Sequence, residues 1–98
     1  MTPRIVFRPQ AQAEIEAARE WYERESLGLG SRFVSAVDDA LGRLVDRPLA
    51  FPCVRRDVRR ALLRRFPYAV FFRVRESEIV VVAVIHGRRH ARRWRTRR

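Results

Sequence analysis

Residues 79–85 (IVVVAVI) are apolar at every position, and this run limits the possible folds more than any other stretch of the chain. A strand that is apolar on both faces belongs inside a sheet, not at its edge. The run just before it, 68–75 (YAVFFRVR), alternates. Val70, Phe72 and Val74 fall on one face, expected in the core, while Ala69, Phe71, Arg73 and Arg75 fall on the other. That second face is expected to be open, part apolar and part cationic. Only Glu76 and Ser77 separate the two runs, a spacing that suits a tight hairpin.

The rest of the chain arranges itself around this hairpin. Residues 4–7 (RIVF) read as a short strand, and Pro9 suits the first turn of a helix. Ala11, Ile15, Ala18 and Tyr22 make one apolar stripe, which predicts a helix over 9–25 with Trp21 widening the stripe. The glycines of 26–30 (SLGLG) predict a connector. A second helix over 31–46 follows, with Ser31 as its N-cap and Phe33, Val37, Ala40, Leu41 and Leu44 buried. So short a connector implies an antiparallel helix pair. Residues 53–56 and 59–65 read as an edge strand and a fuller one. The predicted class is α+β: one antiparallel sheet in the order β-α-α-β-β-β, with a possible additional strand and the helix pair on one face. The 98 residues suit one small domain, with 87–98 as a basic tail.

Charge carries the functional signal. The formal net charge is +11, and every basic residue is arginine. Residues 1–50 hold 7 Arg and 8 acids, whereas residues 51–98 hold 15 Arg and 3 acids. The sheet half and the tail therefore form a cationic surface suited to an acidic partner, either nucleic acid or an acidic protein. A single cysteine, Cys53, excludes an internal disulfide and a cysteine-based metal site. The expected setting is cytoplasmic, with no membrane role, no metal and no cofactor.

Several residue patterns together resemble one family. They are Pro9-x-Ala11, Trp21-Tyr22, Leu29-Gly30-x-x-Phe33, Arg47-Pro48, Arg65-Phe66-Pro67-Tyr68, Val70-Phe71-Phe72-x-Val74, and finally His86-x-x-Arg89 with Trp94. In this order and spacing the chain resembles the RelE/ParE superfamily of toxins from type II toxin–antitoxin systems, and most of all the ParE branch. The resemblance implies a sheet with its first strand beside its last, and a cognate antitoxin that wraps the toxin. It implies one of two targets: DNA gyrase for ParE-like members, or mRNA on the ribosome, which RelE-like members cleave. RelE-like nucleases carry Arg-x-Val-Tyr at the start of the central strand. Here Ala69 stands for the arginine and Phe72 for the tyrosine, so the expectation leans to gyrase inhibition by binding. A basic nucleic-acid-binding module without toxicity is the third possibility.

The candidate residues follow from these expectations. Arg73 and Arg75 on the open face, with Arg88, Arg89, Arg92, Arg93, Trp94 and Arg95 in the tail, form the expected target-binding set. Arginines interleaved with an aromatic suit phosphate contact with stacking, and suit an acidic protein surface equally. Trp21, Arg59, Arg60, Arg64 and Arg65 are the expected antitoxin-binding set. His86, Arg73 and Arg75 would be the catalytic groups of a nuclease, with His86 as its general base. The plainer role for His86 is a strand-end histidine bonded to a backbone carbonyl.

Overall fold

The computed structural model describes residues 3–87. Strand β1 (Arg4–Phe7) leads into helices α1 (Pro9–Glu25) and α2 (Leu29–Asp46), a 3-10 turn (Pro48–Ala50), then strands β2 (Cys53–Arg55), β3 (Val58–Leu62), β4 (Tyr68–Arg75) and β5 (Glu78–His86). The sheet order is β1-β5-β4-β3-β2. The all-apolar strand thus lies inside the sheet, flanked on one edge by β4 and on the other by β1. Every pairing is antiparallel except β1 with β5. Both helices cover one face. Phe33, Val37, Ala40 and Leu44 of α2 and Ala11 and Ala18 of α1 close over Val70, Phe72, Ile79, Val81 and Val84.

Helix α1 begins where Pro9 permits, with extended Arg8 as its N-cap. Helix α2 begins two residues earlier than its hydrophobic pattern implies, and Ser31 lies inside it. Gly28, at a left-handed φ of 88°, is the N-cap and offers no side chain. Glu23 of α1 does the capping instead. Its carboxylate accepts hydrogen bonds from the Gly28 and Gly30 amides, both at 2.9 Å. Two of the amides that a helix start leaves unpaired are satisfied by the preceding helix, and the hairpin is clasped.

These bonds, first from Gly28 and then from Gly30, hold the Glu23 carboxyl below its ordinary pKa. A lowered folded-state pKa contributes stability that is present above the unfolded value, about 4.3, and is lost as pH falls through the folded one. Glu23→Gln should therefore show a flatter acid limb than the parent in melting temperature against pH. Identical limbs would mean that the clasp contributes nothing.

Two departures from strict alternation shape the sheet. The face away from the helices is not open along its apolar part. Ala69 and Phe71 are fully buried there with Val58, Ala83 and Ile85, flanked by Val54 and Val82. Around this cluster the face reaches solvent at Arg73 and Arg75, at Leu62, which is 57% exposed, and at half-buried Arg60 and Val80. The second departure is a bulge in β5: Phe71 pairs with Ala83 and Phe72 with Val81, which leaves Val82 extra. Past a bulge the face parity of a strand inverts. Ile79 and Val81 point to the helices, Val82 and Ala83 both join the opposite cluster, and Val84 returns to the helix side.

Strand β3 covers less than the expected 59–65. The chain leaves the sheet after Leu62 and rejoins it at Tyr68. Hydrogen bonds from the Leu63 amide to the Tyr68 carbonyl (2.9 Å) and from the Gly87 amide to the Pro67 carbonyl (2.8 Å) hold this loop. Arg65 takes a left-handed φ of 69° within it.

Candidate functional site

Two surfaces gather the residues of interest, at opposite ends and on opposite faces of the sheet. The first lies at the end where β4 starts and β5 stops. Tyr68 pairs with His86. Tyr68 packs under the helices, so the bulge has carried His86 to the helix side, where its ring stands edge-on to Tyr68 at 5.5 Å. A cleft of about 580 Å³ opens beside them, walled by Glu14, Trp21 and Tyr22 of α1 and by Pro67, Val84 and His86. Here β5 runs past the end of β1, and Glu14 accepts the Val84 amide at 2.9 Å. Trp21 is 49% exposed, so it forms the rim of this cleft and does not extend the core stripe.

On the other side of Tyr22 and Pro67 lies a groove of about 770 Å³, lined by Leu29, Arg32, Ala36, Arg64, Arg65 and Phe66 among others. Its floor is aromatic: Tyr22 stacks on Phe33 at 5.3 Å and meets Phe66 edge-on at 4.9 Å. Burial, then the neighbouring Tyr68, push the Tyr22 phenol above its ordinary pKa, so it is a neutral hydrogen-bonding group at pH 7. Arg64 pairs with Asp39 at 3.6 Å, and Asp39 also holds Arg43 at 3.2 Å.

The second surface is the arginine cluster on the face away from the helices. Arg73 Nε lies 3.2 Å from Asp57 Oδ1, and an Arg75 terminal nitrogen lies 3.1 Å from Asp57 Oδ2. Arg60, one strand over, presents its side chain on this same face, opposite Phe71. Nε of Arg60 and Nε of Arg73 are both buried without a hydrogen-bond acceptor; the Asp57 oxygen is near Arg73 but not aligned with its N–H.

The residues singled out from sequence are thus distributed, not assembled. Arg73 and Arg75 are adjacent. His86 is not with them: Tyr68, its partner, is five residues from Arg73 along β4, about 17 Å at the rise of a strand. It also faces the other way. Within the expected antitoxin set, Arg64 and Arg65 line the groove, Trp21 the cleft, and Arg60 the far face. Arg59 is turned inward and cross-links the chain, donating to the carbonyls of Phe51 (2.6 Å) and Leu49 (3.3 Å). The tail residues Arg88, Arg89, Arg92, Arg93, Trp94 and Arg95 lie outside the described residues. Among the described residues no cluster of three or more His, Cys, Asp or Glu could hold a metal ion. No helix is long and apolar enough to cross a membrane. Asp57 and Glu14, both close partners of these surfaces, carry no local sequence signal; the sheet register brings Asp57 into place, and the packing of α1 on β5 brings Glu14.

The model of the ParE toxin of the type II toxin–antitoxin system parDE matches residues 5–91. The chain belongs to the ParE toxin family. The fold agrees. A structure of the chromosomal ParDE toxin–antitoxin system of P. aeruginosa aligns with a TM-score of 0.66 at 22% identity, covering 87% of this chain and 96% of the other. The toxin–antitoxin complex RelBE2 of Mycobacterium tuberculosis gives a TM-score of 0.62 at 21% identity, covering 88% and 99%. No curated protein matches the chain significantly by sequence. Ala69 and Phe72 are fully buried, Phe72 beneath the helices and Ala69 in the opposite cluster.

Proposed function

We propose that this chain is a toxin that inhibits DNA gyrase by binding it, and that a cognate antitoxin with an acidic, partly apolar surface silences it. The observation that carries this reading is the separation of His86 from Arg73 and Arg75. Cleavage of RNA through its 2′-hydroxyl needs a base, an acid and a stabiliser of the charge on phosphorus, all within hydrogen-bonding reach of one phosphate. A histidine on the helix side and two arginines about 17 Å along the strand on the other side cannot meet at one phosphate. The burial of Ala69 and Phe72 supports the same reading.

The groove and cleft around Phe66 and Pro67 suit the antitoxin. They combine an aromatic floor with Arg32, Arg64 and Arg65, which matches an amphipathic acidic segment. That both aligned structures come from toxin–antitoxin systems supports such a partner. Purified protein titrated into gyrase with relaxed plasmid should abolish supercoiling, and prior mixing with the antitoxin should restore it. Gyrase that supercoils normally at saturating protein would overturn the proposal.

A further inference from the structure

The far-face arginine cluster already holds a carboxylate, and that carboxylate belongs to the chain itself. Asp57 is the second residue of the two-residue turn between β2 and β3, and its side chain is 49% exposed. It bridges Arg73 and Arg75. The Arg75–Asp57 pair is open to solvent at both ends and therefore weak, so a competing anion can take the place of Asp57 there at little cost. Meanwhile the cluster remains unsatisfied. Arg60 and Arg73, diagonal neighbours on adjacent strands, each bury an Nε–H without a hydrogen bond; at Arg73 the Asp57 oxygen is close but not aligned. A buried donor without a partner is unfavourable, and an acceptor that takes the place of Asp57 in better alignment with Arg73 relieves it.

We propose that Arg60, Arg73 and Arg75 form a docking site for the carboxylates of an acidic protein segment, with Asp57 as a resident placeholder that the partner displaces. The chemistry around the cluster favours a peptide over a nucleic acid. Beside Arg73 the same face continues through Val80 and Val6, both half-buried, so an acidic side chain on the arginines would have apolar neighbours within reach. Stacking of bases needs exposed aromatic faces. Among the described residues this face carries none, because Phe71 is fully buried. The site does not depend on gyrase being the target, and its test reads binding of a chemical probe, not toxicity.

The experiment is a double-mutant cycle on the full chain, with a labelled oligoglutamate followed by fluorescence anisotropy at low salt. Asp57→Asn removes the placeholder charge and should tighten binding roughly three- to tenfold. In an Arg73→Gln/Arg75→Gln background the same change should do nothing, because Asp57 then has nothing to compete for. Arg60→Gln should weaken binding, with melting curves showing that each variant is folded. A parallel titration with oligothymidylate distinguishes the two ligand classes. An Asp57→Asn effect that persists without Arg73 and Arg75, or no effect at all, would refute the placeholder. Tightening confined to oligothymidylate would refute the acidic-peptide assignment.

Discussion

Phe33→Ala should be among the most damaging single changes in the described chain, lowering stability by about 3–5 kcal/mol. Phe33 is fully buried and stands at the centre of an aromatic group drawn from three parts of the fold. Its ring lies 5.3 Å from Tyr22 of α1, 5.4 Å from Phe66 of the β3–β4 loop and 5.1 Å from Tyr68 of β4. Truncation leaves a cavity that none of these neighbours can fill without leaving its own contacts. Small domains are stable by only about 5–15 kcal/mol, so a large share is lost. The same change loosens the floor of the groove at Phe66, so antitoxin binding should weaken as well. Urea unfolding reads the first effect as a lower midpoint at an unchanged m-value. A midpoint equal to the parent's would show that the aromatic group is not the keystone of the helix–sheet contact.

Gly30→Ala should also destabilise the fold, although it adds only a methyl group. A Cβ at Gly30 would lie 2.7 Å from the Arg19 carbonyl oxygen and 2.9 Å from Glu23 Oε1. The first is backbone of the neighbouring helix and cannot swing aside. The second is the carboxylate that caps α2. Either the helices move apart or the clasp opens, at a cost of about 1–3 kcal/mol. Gly42 provides the control, since nothing lies within 4 Å of a Cβ there. Gly42→Ala replaces a mid-helix glycine and should stabilise by about 0.5–1 kcal/mol. Opposite shifts in melting temperature for one substitution at two glycines of one helix would locate the effect in the α1–α2 contact. Shifts of the same sign would show that the close approach does not constrain the pair.

The architecture was legible wherever polarity alternated or vanished over several residues. The unbroken run at 79–85 placed β5 inside the sheet, and the stripes of α1 and α2 picked out the residues they bury. The faces of β5 were not legible, for a physical reason. A bulge shifts which residues point inward, and a strand apolar throughout cannot show where the shift occurs. Val82 is that extra residue, and because of it His86 joins Tyr68 instead of the arginines. The start of α2 was hidden for a different reason. Its cap is Glu23, a residue of the previous helix, so local capping rules pointed to Ser31 instead. Alternation did place Arg73 and Arg75 on the face away from the helices. Their shared partner Asp57 is set by the pairing of β3 with β4, which no local pattern encodes. Arg59 looked like a surface cation, yet it serves the loop carbonyls of Leu49 and Phe51.

The central question is whether this toxin holds its target or cuts it. Primer extension along a message in a translating extract, with the protein at saturating concentration, decides the point. A toxin that only binds leaves full-length extension products at every time point. New stops within the coding region, appearing only when the protein is present, would contradict that reading and would mean that catalytic groups assemble in a way that β4 and β5 do not display.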